Sequence, residues 1–247
     1  MYEDVSSQFL DGLYQLGLAD RESGEHMNTV LFSKFLRYQQ ELLEWNAKFN
    51  LTAITNPEEV QLKHFLDSLS LLQVYDRQHA HLLDIGSGAG FPGIPLKIAR
   101  PEWRITLLEA TGKKAIFLRH MIDVLQLKEI DVVHGRAEEI AHEKKYRSSF
   151  DVVTARAVAS LSSLLEYCAP YSRVKGLIVL PKKGDLIEEL IQGERAATQL
   201  GTLLKADQPV KLPGLIDGRR LLVWEQIKSC PPQFPRSGSA MAKKPLD

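Results

Sequence analysis

The sequence predicts an α/β fold: a mostly parallel sheet with an antiparallel final hairpin strand, preceded by a helical extension. Three observations carry this. Residues 1–80 are dominated by apolar stripes at helical spacing. From residue 81 short apolar runs alternate with amphipathic stretches, the pattern of strands joined by crossover helices. Near the end, two strand-like runs are joined through the turn formers Pro213-Gly214 and Asp217-Gly218. The 247 residues suffice for one such domain with an extension. The expected division is a helical extension over 1–80 packed on the core, a sheet domain over 81–227, and an extended, flexible tail over 228–247.

In the extension, Phe9, Leu10, Leu13 and Leu16 mark a weak amphipathic helix over Ser6–Leu18. Leu31, Phe35, Tyr38, Leu42 and Trp45 form one stripe on a helix capped by Asn28 or Thr29. Asn56-Pro57-Glu58-Glu59 reads as cap, proline and first-turn acids, and opens a helix to about Val74. Leu62, Phe65, Leu66, Leu69 and Leu72 of that helix face inward. Beyond residue 81 the expected strands are Leu82–Ile85, Ile105–Leu108, Ile130–His134, Phe150–Ala155 and Gly176–Leu180. Helices are expected over Ile94–Arg100, Lys113–Leu125, Leu161–Tyr167 and Asp185–Leu204. The final pairing joins Asp207–Lys211 to Arg220–Ile227.

The stretch from His81 to Gly93 organises the chain. An apolar strand runs into Gly86, Gly88 and Gly90, two apart, where the backbone can bend sharply and approach a ligand. A helix start and a second strand follow, and that strand ends in Glu109. The carboxylate lies 19 residues after Gly90, the separation at which a Rossmann-like unit sets an acid on ribose hydroxyls. A dinucleotide fingerprint would read G-x-G-x-x-G; here the spacing is G-x-G-x-G after Asp84. That pattern resembles the first motif of S-adenosylmethionine (SAM) methyltransferases, whose cofactor has no phosphate.

Ligands of open α/β sheets sit beyond the carboxyl ends of the strands. Those ends supply Glu109-Ala110-Thr111, Gly135 to Glu139 (suited to an adenine edge), Arg156 and Pro181-Lys182-Lys183-Gly184. Arg156 closes an apolar strand, so it needs a ligand or an acidic partner. With Lys113, Lys114, Arg119, Lys182, Lys183 and Arg220 it outlines an edge suited to a phosphate backbone. Residues 1–80 hold 6 Lys and Arg against 12 Asp and Glu, and the remainder 25 against 19, so the basic part faces an anionic partner. Neither a membrane-spanning run nor a signal peptide is legible, and Cys168 and Cys230 form no metal-ligand spacing. A cytoplasmic, monomeric protein without metal is expected.

Asn50–Thr52 (N-L-T), His64–Ser68 (H-F-L-D-S), Asp84–Leu96, Gly135–Glu139 (G-R-A-E-E), Ala155–Ala157 (A-R-A), Lys183-Gly184 and Phe234-Pro235-Arg236 together resemble one family. It is the bacterial 16S rRNA guanine-N7 methyltransferases, also called glucose-inhibited division protein B. The tail departs from that family in having Phe234 for the usual tyrosine. The resemblance implies a Rossmann-like class I methyltransferase sheet that binds SAM through Gly86, Phe91, Glu109, Ala110, Thr111, Ala137, Glu138 and Arg156, with Gly88 in the same turn. It implies a guanine of 16S rRNA, or of the small ribosomal subunit, as substrate. Lys183, Arg220 and Arg236 are the expected RNA contacts, and His64 and Asp67 either approach the site or bond at the surface. Guanine N7 carries a lone pair and no proton, so no general base is required. Competing readings are a nicotinamide-dependent oxidoreductase, a methyltransferase on another acceptor, and an RNA-binding or division-associated protein that keeps the fold without turnover.

Overall fold

Alternation along each strand sends neighbouring side chains to opposite faces of one sheet, and two cores result. Leu82, Ile105, Leu107 and Val152 pack on one face; Leu83, Leu108, Val153 and Ile178 pack on the other. The computed structural model describes residues 5–20, 26–156 and 159–246. Met1–Asp4, Ala157 of the A-R-A motif and the terminal Asp247 lie outside them.

Seven strands form the sheet: β1 (His81–Ile85), β2 (Arg104–Glu109), β3 (Ile130–His134), β4 (Phe150–Ala155), β5 (Ser172–Lys183), β6 (Thr202–Pro209) and β7 (Arg219–Gln226). Their order is β3-β2-β1-β4-β5-β7-β6. The first five are parallel neighbours, and β7 pairs antiparallel with both β5 and β6. The order in which strands are added reverses between β1 and β4, which places a crevice at the carboxyl ends of those two parallel strands.

The first face is covered by α1 (Ser7–Gln15), α2 (His26–Phe49) and the helical run that opens with α3 (Pro57–Val60). Asn56 caps α3 through its side chain, with proline at the first turn, as the sequence predicts. The run continues as a π-helical turn (Gln61–Leu66), α4 (Asp67–Leu69) and a 3₁₀ turn (Ser70–Gln73). Phe9, Phe35, Tyr38 and Phe65 form one aromatic cluster shared with the sheet. The chain is already helical at His26, so the expected caps Asn28 and Thr29 lie inside α2. The same face holds α5 (Gly93–Ala99) and α6 (Gly112–Val124).

The other face holds α8 (Leu161–Cys168) and α9 (Ile187–Leu200), and the short α7 (Ala137–Ile140) follows β3. The helix expected over Asp185–Leu204 stops at Leu200. Gly201 adopts φ 76°, the left-handed cap that ends helices, and Thr202 already belongs to β6. The strand expected over Asp207–Lys211 is correspondingly displaced toward the N-terminus. The strand expected over Gly176–Leu180 extends to Ser172–Lys183.

The C-terminal segment, expected as an extended tail from its Pro, Ser and Gly content, packs on the second core. Cys230, Phe234 and Leu246 are buried in the second core, and Gly238–Lys243 form α10. The cause is nonlocal. Arg147 donates to the carbonyls of Cys230, Pro231 and Phe234 at 3.1, 2.9 and 2.9 Å. Arg236 grips the fully buried Glu166 of α8 with two guanidinium nitrogens, at 2.8 and 2.6 Å.

Candidate functional site

Leaving β1, the chain enters the glycine turn, where its backbone N–H groups are distributed with care. Gly86 donates to the Leu108 carbonyl at 2.7 Å. Gly88 and Thr111 donate to the two carboxylate oxygens of Glu109, at 2.8 and 2.7 Å. Glu109, 5% exposed, therefore ties the glycine turn to the loop after β2. Each of its oxygens keeps a further lone pair for a hydroxyl. The Tyr38 hydroxyl of α2 donates to the Ala89 carbonyl and holds the turn from the other side. Asp84, wholly buried beneath the turn, accepts from Gly93 N–H at 3.0 Å. Burial pushes its carboxyl up to about 7, against the opposing pull of that N–H and of Arg156.

Two glycines are required by this geometry. Gly86 has φ 68°, and no atom lies within 4 Å of where its Cβ would stand. The bare backbone thus faces open space at the mouth of the crevice. At Gly93 a Cβ would meet Leu107 at 2.2 Å, so α5 could not pack so closely on β2.

Beside Gly86 lies a cleft of about 200 Å³, floored by Ile85, Leu108 and Ala155 and walled by Ala110, Gly135 to Glu138, Leu164 and Tyr167. It is mainly apolar, with few polar groups at its rim, the usual make-up of a small-molecule site. Four of the residues expected on a cofactor line it directly: Gly86, Ala110, Ala137 and Glu138. Gly88, Glu109 and Thr111 form the hydrogen-bonded seam beside it.

Phe91 and Arg156 do not line this cleft. Phe91 is buried at 4% exposure, its ring stacked on His64 at 4.4 Å and on Tyr38 at 5.5 Å, with the Arg156 guanidinium 5.1 Å above it. Arg156 points into a second pocket, of about 260 Å³, lined by Asp67, Lys182, Lys183, Arg219 and Arg220 among others. The two pockets flank the end of β4, where Ala155 borders one and Arg156 the other.

An ion network with the buried Asp67 at its centre organises this second pocket. One oxygen of Asp67 accepts from Arg156 at 3.0 Å, and the other lies 2.6 Å from Arg219. Asp217 lies 2.9 Å from Arg219 and 2.8 Å from Lys183, while Asp207 holds Arg220 in a fork at 2.6 and 2.7 Å. Lys182 is paired with Glu189 at 2.6 Å. Five cations thus face four carboxylates. Arg219 was not singled out by sequence reasoning, although the Arg219-Arg220 pair at a strand start was its visible signal. Lys183 and Arg220 stand at the pocket. Arg236 does not: it is fixed to Glu166 and to the Lys244 carbonyl.

His64 joins the network rather than standing free at the surface. Arginine can only donate, so its contact at 3.2 Å makes His64 Nδ1 an acceptor, and Nε2–H then donates to Thr52 Oγ1 at 2.7 Å. This explains the N-L-T and H-F-L-D-S motifs together. Burial, followed by Arg156 and Arg219, lowers the His64 pKa to about 3. The native ring is neutral where an unfolded one starts to protonate below about 6.5. The unfolded chain then binds more protons, so stability falls as pH drops through that window. From pH 7.5 to 5.5 this group alone is expected to remove about 1 kcal/mol. Denaturant unfolding of the parent and H64Q at both pH values checks this; equal losses in the two would refute it.

Among the described residues no helix is long and apolar enough to cross a membrane, and no cluster of His, Cys, Asp and Glu is arranged to hold a metal ion.

A family profile described as rRNA small subunit methyltransferase G matches residues 31–211. A ribosomal RNA small subunit methyltransferase G from Roseiflexus sp. (strain RS-1) is 43% identical over 92% of this chain and 96% of its own length. The protein of the same name from Dehalococcoides mccartyi (strain CBDB1) is 42% identical over 97% of this chain and 99% of its own. Among solved structures, MtNAS in complex with MTA and tNA aligns with a TM-score of 0.52 at 17% identity, covering 81% of this chain and 71% of that one. That likeness concerns the fold alone.

Proposed function

The chain belongs to the rRNA small subunit methyltransferase G family, and from that premise we propose that it transfers a methyl group from SAM to N7 of a guanine in 16S ribosomal RNA. The observation that carries this reading is the junction at the end of β4. There an apolar cleft and a cation-lined pocket open on either side of adjacent residues, Ala155 and Arg156.

The first cleft fits the cofactor. Gly86 offers backbone with open space where a side chain would stand. Glu109 suits the ribose hydroxyls, and the apolar slot between Leu108, Ala137 and Leu164 suits a flat adenine with Glu138 at its edge. When bound there, SAM supplies an electrophilic methyl on a sulfonium.

The second pocket suits the RNA. Lys183 is 60% exposed and its pairing with Asp217 is a surface ion pair, worth little to stability. Such a lysine exchanges its carboxylate for a phosphate at small cost, as does the half-exposed Arg220. Arg156, Arg219 and His64 are fixed by Asp67 and Thr52, so they hold the shape of the pocket while the outer cations change partners. Both titratable groups nearest Arg156 are engaged: His64 through both ring nitrogens and Asp67 through both oxygens. This arrangement suits an acceptor with a lone pair and no proton to remove. The chain's task is to position the two reactants and hold the base out of its stack.

Offering radiolabelled SAM with small ribosomal subunits, free 16S rRNA, duplex DNA and total protein tests the proposal. Digestion of the product to nucleosides is expected to return the label as 7-methylguanosine from ribosomal RNA. Label on another base or another acceptor would overturn it.

A further inference from the structure

The tail and the cofactor cleft share a wall. Glu138 and Arg136 border the apolar cleft, and they also line a groove whose opposite side is the tail segment Pro235 to Ser239. Gly238 sits against Glu138 so closely that a Cβ there would lie 2.8 Å from the Glu138 carboxylate oxygen and 3.6 Å from the Tyr167 hydroxyl. His142, just past α7, contacts the Pro235 carbonyl at 3.1 Å. Arg236 clamps Glu166, the residue next to Tyr167 on α8, and the Arg236 backbone N–H donates to the same carboxylate at 2.9 Å.

We propose that the C-terminal segment from Pro235 to Ser239 is a structural wall of the cofactor site, in which Gly238 and Arg236 act as positioning residues for Glu138 and Tyr167. This rests on the reading of the cleft as the SAM site. α7 and α8 enter the cleft from two separate crossovers, and the tail lies across the outer side of both. Glu138, with its side chain 12% exposed, sets its carboxylate in space that a Cβ at residue 238 would take, so a side chain there must displace it. Arg236 and the buried Glu166 fix the helix that presents Leu164 and Tyr167. The elements contacted are those assigned to the adenine end, so the tail acts on affinity for the adenosine part of SAM.

G238A isolates this role. Gly238 is the first residue of α10, and its φ is not in the left-handed region. Alanine there favours the helix, so stability is expected to hold or rise while the added methyl displaces Glu138. Moving one charged group from its place at the rim is expected to weaken SAM binding about tenfold. R236K, which keeps the charge and loses the fork, is expected to weaken it in the same direction.

The full-length parent, G238A, R236K and the exposed-site control K243A are compared by equilibrium dialysis with labelled SAM and with labelled adenosine, alongside denaturant unfolding. The expected result is an equal fold-loss for SAM and adenosine in G238A, with an unchanged or higher unfolding midpoint and no loss in K243A. Should R236K fail to fold, G238A decides alone. Folded G238A binding both probes within twofold of the parent overturns the proposal. A folded parent that binds neither probe overturns the cleft assignment instead, a result plainly different from equal binding by parent and variant.

Discussion

E109A is expected to weaken SAM binding by about a hundredfold or more. The carboxylate accepts the N–H groups of Gly88 and Thr111, so alanine removes two charge-assisted bonds that hold the glycine turn against the β2 loop. It also removes the acceptor proposed for the ribose. Hydrogen bonds to charged groups contribute about 1.5–3 kcal/mol each, and loss of those proposed to the two ribose hydroxyls suffices for that change. Equilibrium dialysis with labelled SAM, on a variant shown to be folded by circular dichroism, measures it. Affinity within threefold of the parent would place the cofactor elsewhere.

D67N is expected to cost about 3 kcal/mol of folding stability and to lower methyl transfer to rRNA by about a hundredfold. Asp67 lies between Arg156 and Arg219, with its own side chain only 8% exposed. An amide there leaves two guanidinium groups facing each other with one neutral acceptor between them. Repulsion would move Arg156 off Phe91 and release His64 from its tautomer. A shift of about 1 Å at a positioning group is enough for a rate loss of that size. Added inorganic phosphate should restore part of the stability, because it would stand in for the lost charge. Denaturant unfolding with and without phosphate, read beside single-turnover methyl transfer, gives both quantities. A variant with parental stability would show that the network is not holding the pocket together.

The sheet was legible because its information is local. Period-two alternation, a glycine turn and an acid at a strand end lie within one short stretch of the chain. Gly86, Ala110, Ala137 and Glu138 were found because each follows a strand, and strand ends gather at one edge. The error at Gly201 was one of weighting. Leu200, Leu203 and Leu204 continue an apolar pattern across a glycine that, at the end of a helix, more often stops it.

Other misreadings came from partners distant in sequence. Arg236, an expected RNA contact from the family resemblance, has a partner no local pattern shows: Glu166 lies 70 residues upstream. Phe91, expected on the cofactor from the family resemblance, is a platform between Tyr38, His64 and Arg156. His64 and Asp67 were balanced between site and surface because one turn of helix cannot say what stands opposite. Arg156 and Arg219 stand there, brought from β4 and β7.

The packing of the tail also bears on how the protein is made. The second core joins Leu83, within β1, to Phe234 and Leu246. Emerging from a ribosome, a nascent chain that ends before residue 230 has Glu166 without its guanidinium and an open flank where Phe234 belongs. Domains assemble as units during synthesis, and contacts of long sequence separation form late. That core therefore closes only after residue 246 has been made, and a chain cut before residue 230 would lack part of its interior.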